Sequence, residues 1–169
     1  MKFVLFRHAQ KGLTPYHDPE LTSEGHHQAS ALSALIKQNL LPVPTHLWAS
    51  PKIRTTQTFK SIGDEFKVRI QISDLLDQRE GHESLEIFCH RVQSLLQSFE
   101  GNASDEIHFF CTHYDWIEEA MTLINSDKDL NSFEFSHWPP AQFIIFEIQN
   151  GLWKFIRKGT PTVHKGHEL

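Results

Sequence analysis

The run Ile107-His108-Phe109-Phe110-Cys111 lies between the polar break Gly101-Asn102-Ala103-Ser104-Asp105 and Thr112-His113. A continuous apolar stretch of this kind, without alternation, marks a central parallel strand covered on both faces. The opening residues Phe3-Val4-Leu5-Phe6 read as a second buried strand, one that delivers Arg7 and His8 side by side to its carboxyl end. In open α/β sheets ligands gather at that edge. Helical patterns alternate with the strands, which predicts an α/β three-layer sandwich with a mixed, mostly parallel sheet and helices on both faces. No internal repeat or low-complexity linker is visible.

Between Ser23 and Leu40, residues Ala29, Leu32, Leu35, Ile36 and Leu40 recur at helical intervals, with Thr22 or Ser23 placed to cap the first turn. Pro42-Val43-Pro44-Thr45 ends that helix, His46 to Ser50 reads as a strand, and Arg54 falls near the start of the next helix, which turns Phe59, Ile62 and Phe66 inward. Val68, Ile70 and Ile72 alternate as a half-buried strand would. Leu85, Phe88, Cys89, Val92, Leu95, Leu96 and Phe99 form the clearest helical stripe, and a last helix carries Trp116, Ile117, Ala120, Met121 and Ile124. Asn150-Gly151 between two apolar runs predicts a terminal hairpin.

A chain of 169 residues suits one domain, placed at residues 1–158 with a polar tail over 159–169. A formal net charge of -5 argues against general affinity for nucleic acid. Cys89 and Cys111 sit in apolar segments without metal-like spacing and are expected to be buried free thiols. The few apolar residues before Arg7 are too short for a signal peptide or a membrane span, so a cytoplasmic location away from membranes is expected. The ending His167-Glu168-Leu169 only partly matches a retention signal and is read as chance.

The chemistry-bearing pieces come in order: Arg7-His8-Ala9, Leu21-Thr22-Ser23-Glu24-Gly25, Ser50-Pro51-Lys52-Ile53-Arg54-Thr55-Thr56-Gln57-Thr58, and Cys111-Thr112-His113. Guanidinium forks match the charge and geometry of phosphoryl oxygens, and a neutral imidazole is a competent nucleophile near neutral pH. Arg7 and Arg54 are therefore a candidate clamp and His8 a candidate attacking group. From residue 3 to about residue 125 the series resembles the histidine phosphatase, or phosphoglycerate mutase-like, superfamily. Its total length and motif spacing are similar to the compact phosphohistidine phosphatase branch of the SixA type. The resemblance implies that His8 is phosphorylated, that Arg7 and Arg54 hold the phosphoryl oxygens, and that His113 supplies positive charge and donors. Ala9 replaces the family's usual glycine, a mild departure that requires ordinary backbone dihedrals. Tyr114 is placed to narrow the pocket or to stack on a substrate ring, and Lys11 reads first as a solvated loop lysine.

The proton donor to the leaving group is open. Asp77 occupies the position where many relatives carry a glutamate, Glu80 has the length but not the spacing, and Asp115 follows His113 by two residues; the role can also be unfilled. An alcohol leaving group profits from a general acid, whereas a protonated imidazole leaves readily, so a weak acid favours a phosphoramidate substrate. The resulting expectation is a metal-independent phosphatase with a ping-pong route through phospho-His8, without a cofactor. Its substrate is phosphohistidine on a protein or a small phosphomonoester, and its oligomeric state is open. A phosphoglycerate mutase-like transferase and a non-catalytic phosphoprotein-binding module are the alternatives. Arg7-His8-Ala9-Gln10-Lys11 departs from the mutase pattern, and the presence of all four central residues weighs against the module. His26-His27 and the pair His164 and His167 invite a metal reading, but no carboxylate or cysteine completes a zinc set beside either.

Overall fold

The computed structural model describes residues 1–101 and 104–161. In chain order the elements are β1 (Lys2–Arg7), α1 (Ser23–Lys37), β2 (His46–Ala49), α2 (Ile53–Phe66), β3 (Ile70–Ile72), α3 (Leu85–Glu100), β4 (Ile107–Thr112), α4 (Tyr114–Leu123), β5 (Phe143–Gln149) and β6 (Leu152–Gly159). They build one six-stranded sheet in the order β3-β2-β4-β1-β5-β6. Strands β3, β2, β4 and β1 run parallel, and β5 and β6 add an antiparallel edge. The predicted α/β sandwich is the observed fold, and the run at Ile107–Thr112 lies between two parallel partners.

Successive side chains of β1 enter opposite cores, as strand geometry requires. Val4 and Phe6 pack with Leu32 and Ile36 of α1 and Phe59 and Ile62 of α2. Phe3 and Leu5 pack with Phe88, Val92 and Leu95 of α3 and Trp116 and Ile117 of α4. Full burial of one such side chain contributes about 1.5–3 kcal/mol before entropy is counted. Both cores therefore brace the strand that ends in Arg7, and β4, which ends one residue before His113, is fixed the same way. The closing hairpin turns on Asn150 (φ 50°) and Gly151 (φ 76°), the paired positive dihedrals of a tight primed turn.

Five expectations change. Helix α1 stops at Lys37, before the proline segment, because Asn39 takes a left-handed conformation (φ 60°), and Leu40 is left exposed. Strand β3 has only three residues at the sheet edge, where Ile72 lacks cover. Leu85 opens α3 in solvent, and Cys89 is partly exposed, so only Cys111 is a buried free thiol. Gly159 belongs to β6 and not to a tail; His164, His167 and the last three residues lie outside the described residues. No described helix is long and apolar enough to cross a membrane.

Candidate active site

Three element ends converge on one spot. β1 delivers Arg7 and His8, the first turn of α2 delivers Arg54, and His113 follows β4 as the N-cap of α4. The backbone N–H of His8 donates to the carbonyl of Thr112 at 3.1 Å, which ties the two histidine-bearing strand ends together. The His8 and His113 ring centroids are 5.4 Å apart. Ala9, whose N–H donates to Thr58 Oγ1 at 3.0 Å, has no positive φ, as its replacement of glycine requires.

His8 is buried, and its Nδ1 lies 2.7 Å from the carbonyl oxygen of Ala9. A carbonyl only accepts, so Nδ1 carries the proton and Nε2 keeps its lone pair. Burial pushes the His8 pKa down to about 3, with the Arg54, Arg7 and Lys11 charges acting in the same direction against the pull of the Ala9 carbonyl. The ring is thus neutral at neutral pH, with a free lone pair on Nε2. His113 is also held well below the usual imidazole range, by burial first and Arg54 second.

Arg54 is 3% exposed; its Nη2 donates to Gln78 Oε1 at 2.6 Å and stands 3.2 Å from His113 Nδ1. Arg7 donates from Nη1 to the carbonyl of Trp138, and its guanidinium carbon lies 5.4 Å from the centre of the half-exposed Tyr114 ring. Among the described residues, Nε of Arg7 and both Nε and Nη1 of Arg54 have no hydrogen-bond partner. Buried donors are normally satisfied, and unpaired guanidinium N–H groups beside two imidazoles suit a tetrahedral oxyanion.

The three carboxylate candidates separate. Asp77 is partly buried, 3.8 Å from His113 Nε2 and 3.6 Å from Lys52 Nζ. Burial raises its pKa, and Lys52 opposes the rise. Glu80 is paired with Lys52 at 2.9 Å, which lowers its pKa and favours the charged form. Asp115 accepts from the backbone N–H of Arg79 and of Trp116, at 2.9 and 2.7 Å, so both its oxygens serve structure. Of the three, Asp77 has the environment of a proton donor.

The loop bearing Asp77 and Gln78 is pinned by Arg91, which donates to the carbonyls of Asp77 at 2.7 Å and Leu75 at 3.1 Å and pairs with Glu83 at 2.8 Å. Sequence reading did not single out Gln78, nor Ser50, whose Oγ is 2.8 Å from His113 Nε2, nor Lys52 as the partner of both acidic groups. Asp18 was also missed: it accepts from the N–H of Ile53 at 3.0 Å and approaches Arg54 Nη1 at 3.8 Å. Ser50 and Lys52 lie within a quoted motif segment and Gln78 directly follows Asp77, so proximity in sequence was the available signal; Asp18 carried none.

One described cluster offers metal-ligand side chains, His46, Glu106 and His108, with candidate ligand atoms within 4.8 Å of one another. It lies at the opposite end of β2 and β4 from His113. Its hydrogen bonds do not suit an ion. Trp48 Nε1–H donates to His108 Nδ1 at 3.0 Å, so the ring proton sits on Nε2 and goes to Glu106 Oε2 at 2.9 Å. Ligation through Nε2 would turn an Nδ1–H against the Trp48 N–H. The His46 and His108 rings also stack with an interplanar angle of 6°, so their in-plane lone pairs run side by side instead of converging. Both nitrogens of His108 are used, which makes it a satisfied core residue.

The fold is an α/β sandwich, and the converging guanidinium and imidazole groups form a candidate oxyanion site at the carboxyl edge of its parallel strands. Residues 3–82 match the histidine phosphatase superfamily (branch 1). Over this segment the chain is similar to that superfamily, and its sheet and helices share their fold with solved structures of phosphatases. No curated protein sequence matches the chain significantly. Similar solved structures include the protein histidine phosphatase SixA complexed with tungstate, at 14% identity and TM-score 0.69, covering 95% of this chain and 97% of that one. A candidate phosphohistidine phosphatase SixA from Agrobacterium tumefaciens has 16% identity and TM-score 0.73 over 95% and 98% of the two chains. Phosphoserine phosphatase from Entamoeba histolytica in complex with 3-phosphoglyceric acid has 16% identity and TM-score 0.69 over 94% and 96%. At these identities the likeness is one of fold; together with the family match it supports a phosphatase.

Proposed function

We propose that the protein is a metal-independent phosphatase that works in two steps through phospho-His8. The single observation that carries this reading is the Ala9 carbonyl holding the proton of His8 on Nδ1, which leaves the Nε2 lone pair beside Arg7, Arg54 and His113. Nε2 attacks phosphorus and forms an N–P bond while the bond to the leaving group breaks. Water then attacks the phosphohistidine, releases inorganic phosphate and restores the neutral ring. Arg7 and Arg54 hold the equatorial oxygens throughout, and their fixed charges replace the metal that many phosphoryl-transfer sites employ.

Phosphohistidine on a protein is the first substrate class. A protonated imidazole leaves without help from a strong general acid, so this class does not depend on the protonation state of Asp77. Small phosphomonoesters are second, favoured by the burial that raises the Asp77 pKa and readies it to protonate an alkoxide. A panel of a phosphohistidine protein, sugar phosphates and a nitrophenyl ester, run with wild type and His8→Ala, tests the reading. Loss of every activity in the variant supports it, and retained hydrolysis overturns it. Release of free phosphate without an added acceptor separates hydrolysis from mutase chemistry; binding without transfer identifies a binding module.

A further inference from the structure

His113 Nδ1 stands 3.2 Å from Arg54 Nη2. A guanidinium has only donors, so Nδ1 faces it as a lone pair and the single proton of the neutral ring sits on Nε2. That nitrogen is 2.8 Å from Ser50 Oγ, a fully buried hydroxyl that also accepts from the backbone N–H of Lys52 at 3.3 Å. The Ser50 proton then turns to Thr55 Oγ1 at 3.0 Å, and the Thr55 proton to the carbonyl of Lys52 at 2.8 Å or of Ser50 at 2.9 Å. Every donor finds an acceptor when the chain runs from His113 through Ser50 and Thr55 to the backbone. Reversed, it would set an Nδ1–H against the guanidinium.

A phosphoryl oxygen accepts hydrogen bonds, as the Nδ1 lone pair does. In the free protein Nδ1 accepts from Arg54 Nη2; an entering phosphoryl oxygen takes that donor over, and with Nε2 committed to Ser50, Nδ1 must gain a proton to donate to the same oxygen. We infer that Ser50 is a positioning residue that fixes the proton of His113 on Nε2, so that occupation of the site by a tetrahedral oxyanion is coupled to uptake of one proton at His113 Nδ1. The inference rests on the proposed role of His113 at a phosphoryl site. The proton comes from solvent or from a monoanionic phosphoryl group, and the ring changes from neutral to singly positive. Burial, Arg54, His8, Lys52 and Lys11 oppose this gain in the free protein, and the Asp77 carboxylate 3.8 Å from Nε2 favours it. The charge of the entering anion tips the balance.

The test is ¹⁵N NMR of the histidine rings in the full chain, with tungstate as the probe and the His113 signals identified by their loss in His113→Gln. The expected result is a protonated Nε2 and bare Nδ1 in the free protein, and protonation of both nitrogens at saturating tungstate. Ser50→Ala populates both tautomers in the free protein and lowers kcat/KM about tenfold, the size of one lost buried hydrogen bond. Thr55→Val, close in shape, shifts the tautomers in the same direction if Ser50→Ala does not fold. A proton on Nδ1 in the free protein, or a bare Nδ1 at saturation, overturns the inference. Phospho-His8 formation measured on the same preparation keeps the two readings apart. Phosphoenzyme with a bare Nδ1 removes only the coupling, whereas no tungstate binding and no phosphoenzyme removes both.

Discussion

Gln78 Oε1 accepts a hydrogen bond from Arg54 Nη2 at 2.6 Å, and the same nitrogen faces His113 Nδ1 at 3.2 Å. The amide therefore sets the rotation of the guanidinium plane, and with it the direction of the two unpaired donors. Gln78→Ala is expected to lower kcat/KM by about tenfold or more, as loss of a charge-assisted hydrogen bond does. Steady-state kinetics beside a urea unfolding curve check this, because the fold should lose little while the rate falls.

A Cβ at Gly25 would stand 2.1 Å from the carbonyl oxygen of Gln10, in the loop that follows the candidate nucleophile. That loop is further held by Gln28, which accepts from the Gln10 N–H at 2.9 Å. Gly25→Ala must push α1 and this loop apart, at a cost of about 1–3 kcal/mol. The expected observation is a lower urea midpoint together with reduced activity; an unchanged midpoint would show that the close approach is dispensable.

Much of this arrangement was legible in the sequence. Arg7, His8, Arg54 and His113 stand where an apolar strand ends or a helix begins, so their placement at one sheet edge follows from the pattern of elements. Asn150-Gly151 announced its turn chemically. The supporting contacts were not legible, because Ser50 meets His113 across 63 residues and Gln78 meets Arg54 across 24, and no periodicity specifies such pairings. Ile72 and Leu85 fail for a different reason: an apolar stripe identifies a face but not whether anything covers it. The helix that stops at Lys37 shows that one left-handed residue, Asn39, can outrank a continuing apolar pattern.

Asp77 is the carboxylate whose burial raises its pKa. If it protonates the leaving group, Asp77→Asn slows hydrolysis of alkyl phosphomonoesters by about 10²-fold or more and leaves nitrophenyl phosphate and phosphohistidine nearly unchanged. Activity on alkyl esters should also fall as pH rises through the raised Asp77 pKa. Equal losses on all three substrates would assign Asp77 a structural role.

The pKa of His8 drops from 6.5 to about 3 on folding, so the folded state binds fewer protons than the unfolded chain. This group's contribution is fully present above pH 6.5 and is lost as pH falls through about 3. One such group adds at most about 1.4 kcal/mol per pH unit to the slope. His113 acts with the same sign. Unfolding by urea across this interval should show a shallower pH dependence for His8→Gln than for the wild type.

The central claim is tested most directly by brief mixing with a ³²P-labelled phosphohistidine protein, followed by denaturing quench and peptide mapping. The account predicts acid-labile label on the peptide carrying His8, absent in His8→Ala and released as inorganic phosphate on further incubation. Phosphate release by the wild type without label ever appearing on His8, or label on another residue, would contradict it.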